Sequence, residues 1–90
     1  MDDFSFALHH LKLGACITRA SWPEDMFLYL VPGSSFKVNR EPLLSLLPEG
    51  TDISYRGHID LFFGKGNVMV WTPCQVDLLA CDYYIVQPNA

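Results

Sequence analysis

His58 and Asp60 are the residues whose types and spacing come closest to acid–base chemistry, being two apart and therefore on one side of an extended strand. Such a pair can act as base and orienter, or it can be a hydrogen-bonded polar pair at a pocket wall or an interface. The second reading is favoured, because no serine or cysteine lies in a glycine elbow or beside a His and acid pair that would activate it. Cys74 and Cys81 are seven residues apart, which on a helix is roughly 10 Å along the axis and too far for one zinc. His9 and His10 are adjacent and diverge around a helix. Gly64-Lys65-Gly66 does not have the spacing of a phosphate loop. The chain is therefore expected to be no enzyme, with no metal and no cofactor.

Binding chemistry is better supplied. Trp22, Phe27, Tyr29, Phe62, Trp71, Tyr83 and Tyr84 offer flat faces on which a base can stack. Asn39, Arg56, His58, Asp60, Gln75 and Asp77 are directional partners for a base edge or a ribose hydroxyl. Each aromatic is also a candidate core residue. Trp22, in a turn beside Pro23, and Trp71, just before a helix start, are the two best placed to meet a ligand. The helix start at Thr72 to Gln75 presents a positive dipole end to a phosphate.

The elements that must hold these residues follow from periodicity. Phe4, Ala7, Leu8 and Leu11 recur at helical spacing, which predicts a helix over about residues 4 to 13 that Gly14 stops. Ala15 to Arg19 reads as a short strand and Met26 to Val31 as another, closed by the turn residues Pro32-Gly33-Ser34-Ser35. The second strand is apolar on both faces, as in a central strand or one that meets a second subunit. Phe36 to Pro48 gives little signal beyond a short helical turn after Pro42, and Ile53 to Arg56 reads as irregular. His58 to Phe63 and Val68 to Trp71 form a hairpin about Gly64-Lys65-Gly66-Asn67. Thr72 as N-cap, Pro73 at N1 and Gln75 at N3 predict a capping box and a helix to about Cys81, with Val76, Leu79 and Ala80 on its apolar side and the two cysteines as packing residues. A last strand runs from Asp82 to Val86. The sum is a small α+β single domain, residues 1–90, with an antiparallel sheet and two short helices.

Half of the 90 residues are apolar, 13% are aromatic, and the net charge is −4. So short a chain has a thin core, so much of this apolar surface is expected to lie between subunits. No cluster of Lys and Arg could neutralise a run of phosphates, which argues against DNA, long RNA and anionic membranes as partners. One Arg and a few backbone donors still suffice for a small phosphate-bearing ligand. The acidic start Met1-Asp2-Asp3, the short apolar runs and three cysteines that cannot all pair read as a cytoplasmic protein.

Beyond these local signals, the whole chain resembles the second class of phage anti-Thoeris proteins. The resemblance runs through Phe6-Ala7-Leu8, Ser21-Trp22, Met26 to Phe36, Val38-Asn39-Arg40, Pro48-Glu49-Gly50-Thr51, Tyr55-Arg56, His58-Ile59-Asp60, Trp71, Gln75, Asp77 to Ala80 and Asp82 to Val86, in order. It departs at Pro23-Glu24-Asp25, where many relatives have an Asn-Gly-type turn with a basic or small residue. The resemblance implies a homo-oligomer, tetramer or dimer, that sequesters a cyclised ADP-ribose signal without degrading it and so keeps a TIR-based antiphage effector switched off. Some members, it further implies, hold cyclic dinucleotides at a separate site. A module that inhibits a host protein is the alternative, and a nucleotide-processing enzyme a weaker one. On the sponge reading, the pocket lies near a subunit boundary. Trp22 or Trp71 stacks on the adenine, Arg56 and the Thr72 to Gln75 backbone meet the phosphates, and Asn39, His58, Asp60 or Asp77 read hydroxyls and base edges, with Phe27 and Tyr29 as further aromatic contacts.

Overall fold

Asp3 begins the first helix by accepting a hydrogen bond from the Phe6 amide at 3.0 Å. This helix, α1 (Phe4–Lys12), ends where Gly14 takes a positive φ of 93°. His9, His10 and Lys12 fill its last turn, where cations suit the dipole. The computed structural model describes residues 1–88. After α1 come β1 (Cys16–Arg19), β2 (Met26–Val31), β3 (Ser34–Lys37), a 3-10 turn (Leu43–Ser45), β4 (Asp52–Tyr55), β5 (His58–Phe63), β6 (Val68–Val70), α2 (Gln75–Leu79) and β7 (Tyr83–Val86). The main sheet is antiparallel with strand order β6-β5-β2-β1-β7, which puts β2 at its centre, as its two apolar faces require.

The registers decide what each face carries. Ile17, Leu28 and Leu61 align across the sheet on the side that α1 covers. With Ala7, Leu11 and Tyr83 they make the core, against which Phe4, Trp22, Ile59 and Trp71 pack. Phe27 opposite Phe62, Tyr29 opposite Asp60 and Val31 opposite His58 share the other side. No described helix lies on that side.

Two regions differ from expectation. Residues 34–37 and 52–55, expected as turn and irregular chain, pair as a separate two-stranded sheet, with Phe36 opposite Ile53 and Ser34 opposite Tyr55. Their pairing is non-local across a long connection, so no hairpin turn announces it. The second difference is α2. Its N-cap is Cys74 and its N3 residue Asp77, not Thr72 and Gln75, and it stops at Leu79 rather than near Cys81. A carboxylate accepts the cap amide more strongly than a neutral amide does, and Asp77 is also tied to Arg19 on β1. The tertiary ion pair therefore sets the helix register. Val76 and Leu79, expected on its packed side, are 69% and 76% exposed, and Cys74 and Cys81 are exposed as well.

The β5–β6 turn is as the glycines predict. Gly64 sits at φ 94°, and a β-carbon there would collide with the Asp25 carboxylate. Gly64→Ala is expected to cost about 1–2 kcal/mol, read as a lower midpoint in thermal denaturation. No helix among the described residues is long and apolar enough to cross a membrane.

Candidate functional site

The expected binding residues separate into four places on one protomer. The first is the edge of the core on the helix side. Trp22, carried by the turn after β1, and Trp71, at the end of β6, meet edge to face with ring centroids 6.3 Å apart. Phe4 lies 5.8 Å from Trp71, and the Arg19 guanidinium lies 5.8 Å from the Trp22 ring. Both tryptophans are half-buried, so each packs on one side and keeps surface on another.

Beside them is an ion-pair network that sequence reasoning did not find. Arg19 donates to Asp82 at 2.8 Å and to Asp77 at 2.9 Å, with the three side chains 12%, 22% and 16% exposed. Asp82 also accepts from the Ser21 amide and hydroxyl, and Asp77 from the Cys74 amide and thiol. Burial would raise the Asp77 carboxyl, but the Cys74 and Arg19 hydrogen bonds outweigh it and hold it below its ordinary range. Asp82 is lowered mainly by its hydrogen bond from Arg19. Beneath them Tyr83, pushed up to about 12 by burial and then by Asp77, remains a donor and binds the Asp77 carbonyl at 2.5 Å. Asp77 thus has both oxygens engaged within the fold, and it acts as a clamp between β1 and α2. A sequence separation of some sixty residues, printed as 58 and 63 for the two pairs, left no local signal for it.

The second place is the uncovered sheet side. Phe27 and Phe62 stack at 4.9 Å and 20° between planes. Tyr29 donates to Asp60 at 3.3 Å, and His58 Nε2 lies 3.2 Å from the other Asp60 oxygen. Burial, then the Asp60 charge, raises the Tyr29 hydroxyl, which keeps it a donor. The His58 and Asp60 pair is real, but its third partner is Tyr29, and the other His58 nitrogen faces the Arg56 carbonyl at 3.3 Å. No serine or cysteine hydroxyl or thiol joins it in a hydrogen bond.

The third place is the β3–β4 arm and its root. Asn39 is exposed on the arm, and Arg56 is exposed where the arm returns to β5. Arg56 has no ion pair among the described residues. The fourth is the approach to α2, where Thr72 and Gln75 are exposed and Asp77 already occupies the Cys74 amide. That carboxylate takes the position at the helix start that a phosphate was expected to fill. The structure thus brings Trp22 to Trp71, and Phe27 to Tyr29, His58 and Asp60. It does not gather the two groups into one enclosure. A cleft of about 650 Å³ at the end of the uncovered side is lined by Glu24, Asp25, Phe27, Phe62 and Tyr84, among others. A second, of about 560 Å³, lies on the arm around Asn39 and Arg40.

Among the described residues no group of His, Cys, Asp and Glu could hold a metal ion. Stacking faces and hydrogen-bond partners on a small α+β scaffold define a binding protein. The chain belongs to the Tad2-like family, whose Thoeris anti-defense 2-like domain matches residues 3–86. The family role is inhibition of Thoeris defence, exerted without catalysis. No curated protein matches the chain.

Proposed function

We propose that this protein sequesters a cyclised ADP-ribose signal as a homo-oligomer, holding it intact so that the defence effector is not switched on. Family membership over residues 3–86 carries this reading. Geometry supports it in two respects. The residues suited to a base and those suited to phosphates lie at separate places on one protomer, as they would if a second subunit completes the pocket. Two apolar surfaces are also uncovered, the Phe27 side of the sheet and the Val76 and Leu79 ridge of α2. Two distinct interfaces are what a tetramer of paired dimers needs.

Trp22 or Trp71 takes the adenine, a stack worth roughly 1–3 kcal/mol. Arg56 meets the diphosphate, as the arginine nearest the sheet that no carboxylate neutralises. The test is to incubate the purified protein with cyclised ADP-ribose, remove free ligand, denature the complex by heat and analyse what is released. Unchanged ligand in stoichiometric amount is expected. A cleaved product would make the protein an enzyme. No retention, together with a stoichiometric host protein co-purifying, would make it a protein-binding inhibitor.

A further inference from the structure

A radius of gyration of 16.0 Å and extents of 48 × 27 × 26 Å describe an elongated molecule, where a compact chain of this length has a radius near ~12 Å. The accessible surface is 6408 Å², against ~5,300 Å² for a typical monomer of this mass. The excess of about 1,100 Å² is of the order that one partner contributes to a stable interface, about 800 Å². The β3–β4 arm is the source of the elongation. It leaves the sheet at Val31 and returns at His58, through a neck where the Gly33 and Gly57 backbones lie so close that a β-carbon on either would stand 3.0–3.2 Å from backbone atoms.

An isolated two-stranded hairpin is marginal in water, yet this one exposes Phe36 at 42%, Tyr55 at 51% and, beyond the strands, Leu46 at 72%. Its apolar side continues the uncovered side of the sheet. Phe36 and Ile53 are opposite one another, Tyr55 follows on the same face, and its ring lies 5.5 Å from His58. From there the strip runs through Tyr29 to Phe27 and Phe62. The two ends of the strip differ in charge. Toward the arm tip is Arg40, exposed and outside every ion pair among the described residues. At the sheet end is the cleft of Phe27, Phe62 and Tyr84, with Glu24 and Asp25 at its mouth, also exposed and unpaired among the described residues.

We infer that the arm of one protomer docks along the uncovered sheet side of a second copy, with Arg40 meeting the partner subunit's acidic cleft. The topology allows this twice over. Cleft and arm tip lie at opposite ends of the molecule, because β2 runs from Met26 beside the cleft to Val31 at the arm root. An antiparallel two-fold apposition therefore sets each arm tip over the other copy's cleft, which is the self-complementary arrangement of a closed dimer. It buries the strip on both copies and gives each arm the packing it lacks alone. The inference rests on the proposed self-association and specifies which surfaces make it.

The test uses two charge-reversed proteins, Arg40→Glu in one and the pair Glu24→Lys with Asp25→Lys in the other, with the wild type, all followed by light scattering and analytical ultracentrifugation. Each variant alone juxtaposes like charges at both clefts and is expected to dissociate at least tenfold more readily than the wild type. Their equimolar mixture restores opposite charges at both clefts and is expected to recover mixed dimers within threefold of wild-type affinity. A monomeric wild type would overturn the self-association reading itself. A wild-type oligomer whose variants assemble unchanged, or whose mixture fails to recover, would overturn arm docking and leave self-association standing.

Discussion

Arg19→Ala is expected to destabilise the protein by about 3 kcal/mol, lowering the thermal midpoint by roughly 15 °C for a chain of this size. The arginine is mostly buried and holds two carboxylates from different elements, Asp77 of α2 and Asp82 before β7. Its removal strands both in a partly desolvated site, and that uncompensated charge, more than the lost attraction, sets the size of the effect. The pH dependence has a definite sign. Both carboxyls are lowered in the folded protein from an ordinary value of 3.8. Their contribution is therefore full above that value and is lost as pH falls through the lowered folded values. The gap in melting temperature between wild type and Arg19→Ala should be wide at neutral pH and narrow between about pH 5 and pH 2. An equal gap at both ends would mean that Arg19 acts through packing on Trp22 and Tyr83, not through its ion pairs.

Arg56→Ala and Trp71→Ala should each weaken binding of cyclised ADP-ribose at least tenfold, about 1.4 kcal/mol, in isothermal titration. The two should differ in stability. Arg56 is exposed and without an ion pair among the described residues, so its loss should leave the melting temperature and the oligomer unchanged. Trp71 packs on Phe4 and meets Trp22, so its truncation should also lower the melting temperature, by an amount that Trp71→Phe largely restores. Phenylalanine keeps a flat face for the core and a smaller one for the base, so that variant should bind more weakly than the wild type while staying folded. If Arg56→Ala and Trp71→Phe both bound with full affinity, the ligand would lie elsewhere on the protein, with the family assignment untouched.

Several features of this protein were decided by its sequence alone, because the forces behind them act within a few residues. Asp3 and Gly14 bracket α1, and the glycines at 64 and 66 make the β5–β6 reversal. The two apolar faces of Met26–Val31 announced a central strand, and the two-residue spacing of His58 and Asp60 put them side by side. Three things were decided only by tertiary structure. The β3–β4 pairing joins segments whose alternation is short and interrupted by serine, lysine and aspartate, so only the partner strand makes either one a strand. The start of α2 looked complete at Thr72 because a capping box is a local motif, but Arg19 holds Asp77 from across the chain and shifts the cap to Cys74. The binding residues, which read as one set because their chemistry is alike, are divided by the pleat. Trp22 and Trp71 fall with the helix side and Phe27, Tyr29, His58 and Asp60 with the other, since strand register assigns side chains to faces and chemical type does not.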